Sequence, residues 1–181
     1  CGIIGIASNK PVSINIINSL KKLEYRGYDS AGLATLNNNQ IDEKKCSGRV
    51  EELEKILFKN PSKGNIGIGH VRWATHGVPN IINAHPHSSE KVSVVHNGII
   101  ENSDELKKDL ETQGYKFKSQ TDTEVITLLV TQFLEKSEPL EAVFKTLRKL
   151  KGSFALGIIF KNFSDIIVGA RRGSPLAVGY S

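Results

Sequence analysis

The chain opens with CGIIGIA, residues 1–7, in which every residue after Cys1 is apolar or glycine. Such a short apolar run, closed by the turn-forming pair Ser8-Asn9, predicts a buried β-strand. Apolar residues then recur three and four positions apart over residues 12–23, which is the spacing of one helix face. The first strand is therefore followed directly by an amphipathic helix.

The same patterns divide the rest of the chain into strands and helices. We predict strands over 31–36, 40–45, 65–73, 91–96, 153–160, 165–170 and 176–180, and helices over 50–58, 103–112, 121–134 and 139–150. Asn102 or Ser103, and Thr121 or Asp122, stand where they would cap two of these helices. Strands first, helices in the middle and strands last favour antiparallel sheets covered by helices, an α+β domain, over a βαβ repeat. The strand-like end suggests that the final elements of the domain are missing.

Length and composition indicate one globular domain. The chain has 181 residues and a formal charge of +5, which raises the question of nucleic-acid binding. The lysines, however, lie close to carboxylates along amphipathic helices, so we expect solvated helix faces and no nucleic-acid partner.

The longest apolar runs are about a third of the length of a membrane span. With no basic leader, we expect a cytoplasmic protein whose two cysteines, Cys1 and Cys46, are free thiols.

Cys1 is the first candidate for chemistry. The chain contains no methionine, which indicates that an initiator residue has been removed and that Cys1 carries a free α-amino group. A thiolate is a strong nucleophile, and an α-amino group, with an ordinary pKa of roughly 7.7 to 8.0, is a suitable base beside it. The alternative is a small buried residue that merely begins a strand.

A second cluster, HVRWATHG, occupies residues 70–77. A strand that runs into a loop would bring Arg72, Thr75 and His76 to one end of a sheet, where sites are commonly built. The guanidinium of Arg72 offers a planar fork for a carboxylate. The alternative is that Arg72 pairs with a surface acid and Trp73 only packs.

Asn97-Gly98 and Asp122 complete the set of candidates. A side-chain amide and a glycine N–H provide two neutral donors, as an oxyanion site requires, although Asn-Gly is also a common turn pair. Asp122 is either a helix cap or a ligand group. If it shares a pocket with Arg72, the pair would bind the ammonium and carboxylate of an amino acid.

Five histidines raise the question of a metal site. His85 and His87 have alternate spacing, and His96 is a third possible ligand. No acidic residue or cysteine lies at matching spacing, and Pro86 restricts the geometry. We therefore expect structural hydrogen bonding in the loop that carries His85 and His87, with neither metal nor cofactor.

Taken together and in this order, the motifs resemble the N-terminal glutaminase domain of the glucosamine-6-phosphate synthase family, which belongs to the class II glutamine amidotransferases. The matching stretches are residues 1–5, 23–32, 70–77, 83–87, 96–102, 121–125 and 173–176. The resemblance implies an N-terminal nucleophile hydrolase fold, a four-layer αββα sandwich of two antiparallel sheets between helices.

The resemblance also assigns roles to residues. Cys1 would attack the side-chain amide of glutamine, with Asn97 and Gly98 as oxyanion donors. Arg72 would bind the α-carboxylate and Asp122 the α-amino group. Trp73, Thr75 and His76 resemble further substrate contacts, and Arg26 lies in the motif that borders Cys1.

For the whole protein, the resemblance implies that residues 1–181 are a glutaminase domain, shortened at its C-terminus and without the sugar-phosphate isomerase domains of the full-length enzyme. Those domains would use the ammonia to convert fructose 6-phosphate to glucosamine 6-phosphate, in a homodimer.

Glutamine phosphoribosylpyrophosphate amidotransferases share several motifs, but Tyr28 and residues 73–77 and 84–87 favour the aminotransferase. The alternative of a different class is a binding or regulatory module that keeps the fold without turnover.

Overall fold

Residues 1–74 and 77–180 are described by the computed structural model, and within them the chain forms eight strands, five α-helices and a short 3-10 helix over Glu24–Arg26. The strands are β1 (Gly2–Ala7), β2 (Ser30–Asn37), β3 (Gln40–Ser47), β4 (Ile66–Arg72), β5 (His87–Ser88), β6 (Val92–Ile100), β7 (Gly152–Phe160) and β8 (Ile167–Arg172). The helices are α1 (Ser13–Leu23), α2 (Val50–Lys59), α3 (Ser103–Thr112), α4 (Thr123–Phe133) and α5 (Pro139–Lys149).

The strands form two antiparallel sheets. The first has the order β1-β4-β2-β3 and the second the order β5-β6-β7-β8. Strands β2 and β3 are joined by a tight hairpin in which Asn38 and Asn39 both have positive φ, 49° and 61°. Asparagine tolerates this conformation better than most residues, which explains the Asn-rich connection.

Apolar side chains hold the sheets and helices in four layers. Ala34 and Ile68 of the first sheet pack with Val95 and Ile159 of the second. Helices α1 and α2 cover the outer face of the first sheet, and α3, α4 and α5 cover the outer face of the second. The predicted four-layer α+β sandwich is confirmed.

Three local predictions are wrong. The strand predicted to stop before Asn97-Gly98 continues through both residues to Ile100, because they pair with Ala155 and Phe154 of β7. Residues 176–180 are not a strand. The predicted helix caps fail as well, since neither α3 nor α4 has a side-chain capping hydrogen bond. The side chain of Asn102 instead bonds to the main chain of Lys149 and Lys151.

Both cysteines are free thiols, as predicted. Within the described ranges, no helix has the length and apolar character needed to cross a membrane.

Candidate active site

Cys1 immediately precedes β1 and is held by hydrogen bonds to Arg26 and Trp73. Its α-amino group donates a hydrogen bond to the carbonyl of Arg26 (2.6 Å), and Arg26 Nε donates to the carbonyl of Cys1 (3.0 Å). The Sγ atom accepts a hydrogen bond from the amide of Trp73 (3.2 Å). These contacts hold amine and thiol in one orientation at the end of the first sheet.

The environment of the amine favours its neutral form. Partial burial lowers the pKa of the Cys1 amino group below its ordinary value, and the positive charge of Arg26 lowers this pKa further, while Asp29 opposes the shift. A lower pKa increases the fraction of the amine that is neutral at a given pH, and the neutral form is the one able to accept a proton from the thiol beside it.

Gly27 allows this arrangement to form. A Cβ atom at this position would lie 2.5 Å from the carbonyl carbon of Arg72 and 2.7 Å from the amide nitrogen of Trp73. Only glycine therefore lets the segment that carries Arg26 rest directly on the end of β4.

Arg72 ends β4 and is 3% exposed. Its guanidinium donates to the carbonyls of Val78 (3.3 Å) and Gly77 (3.2 Å), and it lies 4.0 Å from a carboxylate oxygen of Asp29. Burial lowers the pKa of Arg72, and the charges of Asp29 and Asp122 raise it. The group thus stays a buried cation held by carbonyls and two nearby carboxylates.

Asp122 immediately precedes α4, but its carboxylate faces β6. Oδ2 accepts a hydrogen bond from the amide of Ile100 (2.8 Å), and Oδ1 lies 3.7 Å from Nδ1 of His96. The bond to Ile100 explains why this residue does not cap its own helix. It also fixes the carboxylate beside the strand that carries Asn97 and Gly98.

Gly98 lies within β6 in a conformation that suits glycine alone. Its φ is +126°, and a Cβ atom would come within 2.1 Å of the carbonyl oxygen of Ser153 on β7. Beside it, Oδ1 of Asn97 is buried and has no hydrogen-bond partner among the described residues.

Two clefts meet at Cys1 and Gly98. The first is lined by five of the predicted residues and by four others: Cys1, Arg72, Trp73, Gly98 and Asp122, with His85, His96, Thr121 and Thr123. The second is lined by Arg26 and Asn97 together with Cys1, Gly98 and residues 174–177. Asn97 and Arg26 thus line the second cleft, whereas Arg72 and Asp122 line the first. Thr75 and His76 lie outside the described residues.

Four buried histidines, His70, His85, His87 and His96, lie at the first cleft, and two of them, His85 and His96, line it. His96 Nδ1 hydrogen bonds with Thr123 Oγ1 (2.9 Å), His87 Nε2 with Thr121 Oγ1 (2.8 Å) and His70 Nε2 with the carbonyl of His96 (3.0 Å). The ring of His85 stacks on that of His70, with 4.0 Å between the ring centroids. The hydrogen bonding predicted for the loop histidines is confirmed by the bond of His87 to Thr121 and by that of His85 Nε2 to Thr123 Oγ1 (3.4 Å). Burial is the main cause that lowers the pKa of all four, and the pKa of His87 falls to about 3. Among the residues described, no three potential ligands converge as a metal site requires.

Sequence reasoning missed several residues around this cleft. Asp29 accepts hydrogen bonds from the amide of Ala74 and from Ser30 Oγ, and it faces Arg72. Thr121 and Thr123 line the first cleft and flank Asp122 in the sequence. The polar residues on both sides of Asp122 could therefore have indicated that they belong to the site.

Comparison with known proteins identifies the family. The sequence model of the glutamine amidotransferase domain matches residues 79–178. The chain belongs to this family. The amidotransferase domain is 52% identical to the glutamine–fructose-6-phosphate aminotransferase (isomerizing) of Bradyrhizobium diazoefficiens over 99% of the chain, and 54% identical to that of Clostridium acetobutylicum over its whole length. It spans 30% of the length of each of these relatives. The predicted resemblance is confirmed.

Solved structures share the fold of this amidotransferase domain. Glutamine phosphoribosylpyrophosphate amidotransferase from B. subtilis, in complex with ADP and GMP, superposes with a TM-score of 0.74 at 29% identity, over 89% of this chain and 35% of that one. A glutamine aminotransferase class-II domain protein from Silicibacter pomeroyi has a TM-score of 0.63 at 13% identity, over 97% of this chain and 78% of that one, which is a likeness of fold alone. The higher identity to the aminotransferases agrees with the preference drawn from the sequence motifs.

Proposed function

We propose that the chain hydrolyses L-glutamine to glutamate and ammonia, with Cys1 as nucleophile and its own α-amino group as base. The observation that carries this proposal is the first cleft, where Cys1 shares a wall with a buried arginine and an aspartate. A cation and an anion at fixed positions complement the carboxylate and ammonium of a free amino acid. The similarity to glutamine–fructose-6-phosphate aminotransferases supports glutamine as that amino acid.

In the first half-reaction, the amine takes the proton of the Cys1 thiol as the sulfur bonds to the side-chain carbonyl carbon of glutamine. The carbonyl π bond opens, and the negative charge moves to its oxygen. The amide group of Asn97 and the N–H of Gly98 stabilise this oxyanion. When the tetrahedral intermediate collapses, the C–N bond breaks, the ammonium form of the amine returns the proton, and ammonia leaves a thioester on Cys1.

In the second half-reaction, water attacks the thioester carbonyl and the amine takes a proton from that water. The C–S bond then breaks, the proton returns to sulfur, and glutamate is released. The same two oxyanion donors serve this step. Arg72 holds the α-carboxylate and Asp122 the α-ammonium group throughout, while Trp73, Thr75 and His76 make further contacts with the substrate and Arg26 orients Cys1.

For the longer protein, we propose that residues 1–181 belong to a glutaminase domain that supplies ammonia to C-terminal isomerase domains. These domains would convert fructose 6-phosphate to glucosamine 6-phosphate. The names of the relatives and the 30% of their length that this chain spans support this division. A homodimeric assembly in the cytoplasm is proposed on the resemblance alone.

Covalent labelling tests the proposal directly. A glutamine analogue that carries an electrophile at the side-chain carbonyl should modify Cys1 and leave Cys46 intact, because Cys46 is buried and burial raises the pKa of its thiol. Peptide mass spectrometry gives the position, and excess glutamine should protect Cys1. The Cys1→Ala variant should neither react nor release glutamate from glutamine.

Cys46→Ala is the matched control, since it removes the other thiol and should keep both labelling and hydrolysis. Label on Cys46 alone, or glutamate release by Cys1→Ala, would contradict the mechanism and favour the non-enzyme alternative.

A further inference from the structure

Asn83 occupies a buried position between two loops. It is 1% exposed, and its side-chain amide makes three hydrogen bonds. Nδ2 donates to the carbonyl of Val78 (3.0 Å) and to Oε1 of Gln120 (3.1 Å), while Oδ1 accepts from the amide of Gln120 (2.9 Å). One asparagine therefore ties Val78 to the segment that leads into Asp122.

Gln120 completes the connection from the other side. Its Oε1 also accepts a hydrogen bond from the amide of Val78 (3.3 Å). Both side chains thus bind the same residue of the loop after β4, and Gln120 stands two positions before Asp122. We call the side chains of Asn83 and Gln120, together with their bonds to Val78, the clasp.

The clasp continues directly to Arg72. The carbonyl of Val78 accepts from Nη1 of Arg72 (3.3 Å) as well as from Nδ2 of Asn83, and the carbonyl of Gly77 accepts from Nη2 (3.2 Å). The guanidinium is therefore supported by the same carbonyl that the clasp fixes. Gly77 fits closely against the clasp, because a Cβ atom there would lie 2.7 Å from Nδ2 of Asn83.

Resting on the proposed function, we propose that Asn83 and Gln120 are positioning residues that hold Arg72 and Asp122 at the spacing required by the α-carboxylate and α-ammonium of glutamine. Neither side chain lines the cleft. Their effect reaches the substrate through Val78 and Arg72 on one side and through the segment before Asp122 on the other. Binding groups that are already fixed in the free protein lose less conformational entropy when the ligand binds.

The expected signature is a change in KM with kcat preserved, because the clasp supports groups that bind the unreactive end of the substrate. Asn83→Ala removes three hydrogen bonds and should raise KM for glutamine about tenfold or more, while kcat stays within about threefold. Gln120→Ala removes two bonds from an exposed residue and should raise KM about threefold. Gln120→Glu should restore the wild-type KM, since its carboxylate still accepts from Val78 and Asn83.

Two further measurements separate positioning from a general loss of structure. The rate at which iodoacetamide alkylates Cys1 should not change, because this reagent has no amino-acid head group. Hydrogen exchange should speed up at the amide of Gln120 in Asn83→Ala and at that of Val78 in Gln120→Ala, since each variant removes the acceptor of that amide. Asn102→Ala, which removes two comparable bonds to Lys149 and Lys151, is the matched control and should keep KM.

Faster exchange at these amides with an unchanged KM would overturn the proposal. So would a parallel loss of kcat and of iodoacetamide reactivity, which would indicate collapse of the site. If Asn83→Ala does not fold, Gln120→Ala and Gln120→Glu decide the question on their own. Wild-type protein that neither binds nor hydrolyses glutamine would instead overturn the proposed function, and that outcome is separate because it appears before any variant is compared.

Discussion

At the scale of the residue, Cys1 combines two groups with different surroundings. The thiol sulfur meets the main chain of Trp73, whereas the amine meets the carbonyl of Arg26 and the charges of Arg26 and Asp29. Burial and the charge of Arg26 lower the pKa of the amine, and Asp29 opposes that shift. In a residue that serves as its own base, the pKa of the amine sets the acidic limit of activity.

Arg26→Gln should move that range. Arg26 lowers the pKa of the Cys1 amine, second only to burial, so its replacement raises this pKa. Because the base acts in its unprotonated form, kcat/KM falls as pH drops through the amine pKa, and the acidic limb of the profile should shift to higher pH. Measuring kcat/KM for glutamine between about pH 5 and pH 9 gives the shift.

Arg148→Gln removes the same charge from an exposed position on α5 and serves as the control. Equal profiles for the wild type and Arg26→Gln would show that Arg26 does not tune the base.

Some site residues follow from the sequence and others need the fold. Cys1, Arg72 and Gly98 stand out because each belongs to a residue type with a definite chemical use at a strand end or turn pair. Asp29 does not stand out, since its role depends on the pairing of β2 with β4, which places Asp29 next to Arg72. Long-range strand pairing is not encoded in local spacing.

At the scale of the element, periodicity predicted the helices and most strands, whereas side-chain bonding at their ends was not predictable. Glu124 illustrates the difference. It lies in the first turn of α4, is 8% exposed and accepts hydrogen bonds from the amides of Lys118 and Ser119 and from Ser119 Oγ. This carboxylate holds the loop before α4. The sequence predicted Asp122 or Thr121 as a helix cap and assigned no role to Glu124.

Glu124→Gln should therefore destabilise the chain by about 1–3 kcal/mol, because a neutral amide replaces a buried carboxylate that accepts several hydrogen bonds near a helix N-terminus. The change is measured as the free energy of unfolding in urea at neutral pH. Glu141→Gln is a matched control in the first turn of α5, where the carboxylate is 60% exposed and pairs with Lys145. It should cost less than about 0.5 kcal/mol, and equal losses in both variants would contradict this role for Glu124.

At the scale of the whole molecule, the four buried histidines make stability depend on pH. Each has a folded-state pKa below its ordinary value, and that of His87 falls to about 3. The unfolded chain therefore binds more protons than the folded chain at mildly acidic pH. The free energy of unfolding is therefore highest above the histidine pKa of the unfolded chain, about 6.5. It falls as pH drops from there towards the lower pKa values of the folded chain.

Unfolding free energy should accordingly drop steeply between about pH 6.5 and pH 5, by about 1.4 kcal/mol per pH unit for each histidine that stays neutral when folded. Urea denaturation at several pH values measures the slope. His87→Gln can keep a hydrogen bond to Thr121 but takes up no proton. It should therefore lower the slope by the contribution of one histidine, about 1.4 kcal/mol per pH unit. A slope that is flat in this range, or unaltered by His87→Gln, would contradict the linkage.

The conformation of Gly98 bears on how mutational scans of this family should be interpreted. Every side chain at this position meets the neighbouring strand, so a deep mutational scan would find glycine required even if its amide had no chemical part to play. Intolerance at residue 98 therefore measures backbone shape. The contribution of the N–H becomes visible only through a change of one main-chain atom, such as an ester in place of the amide, which removes the donor and leaves the outline of the strand as it is.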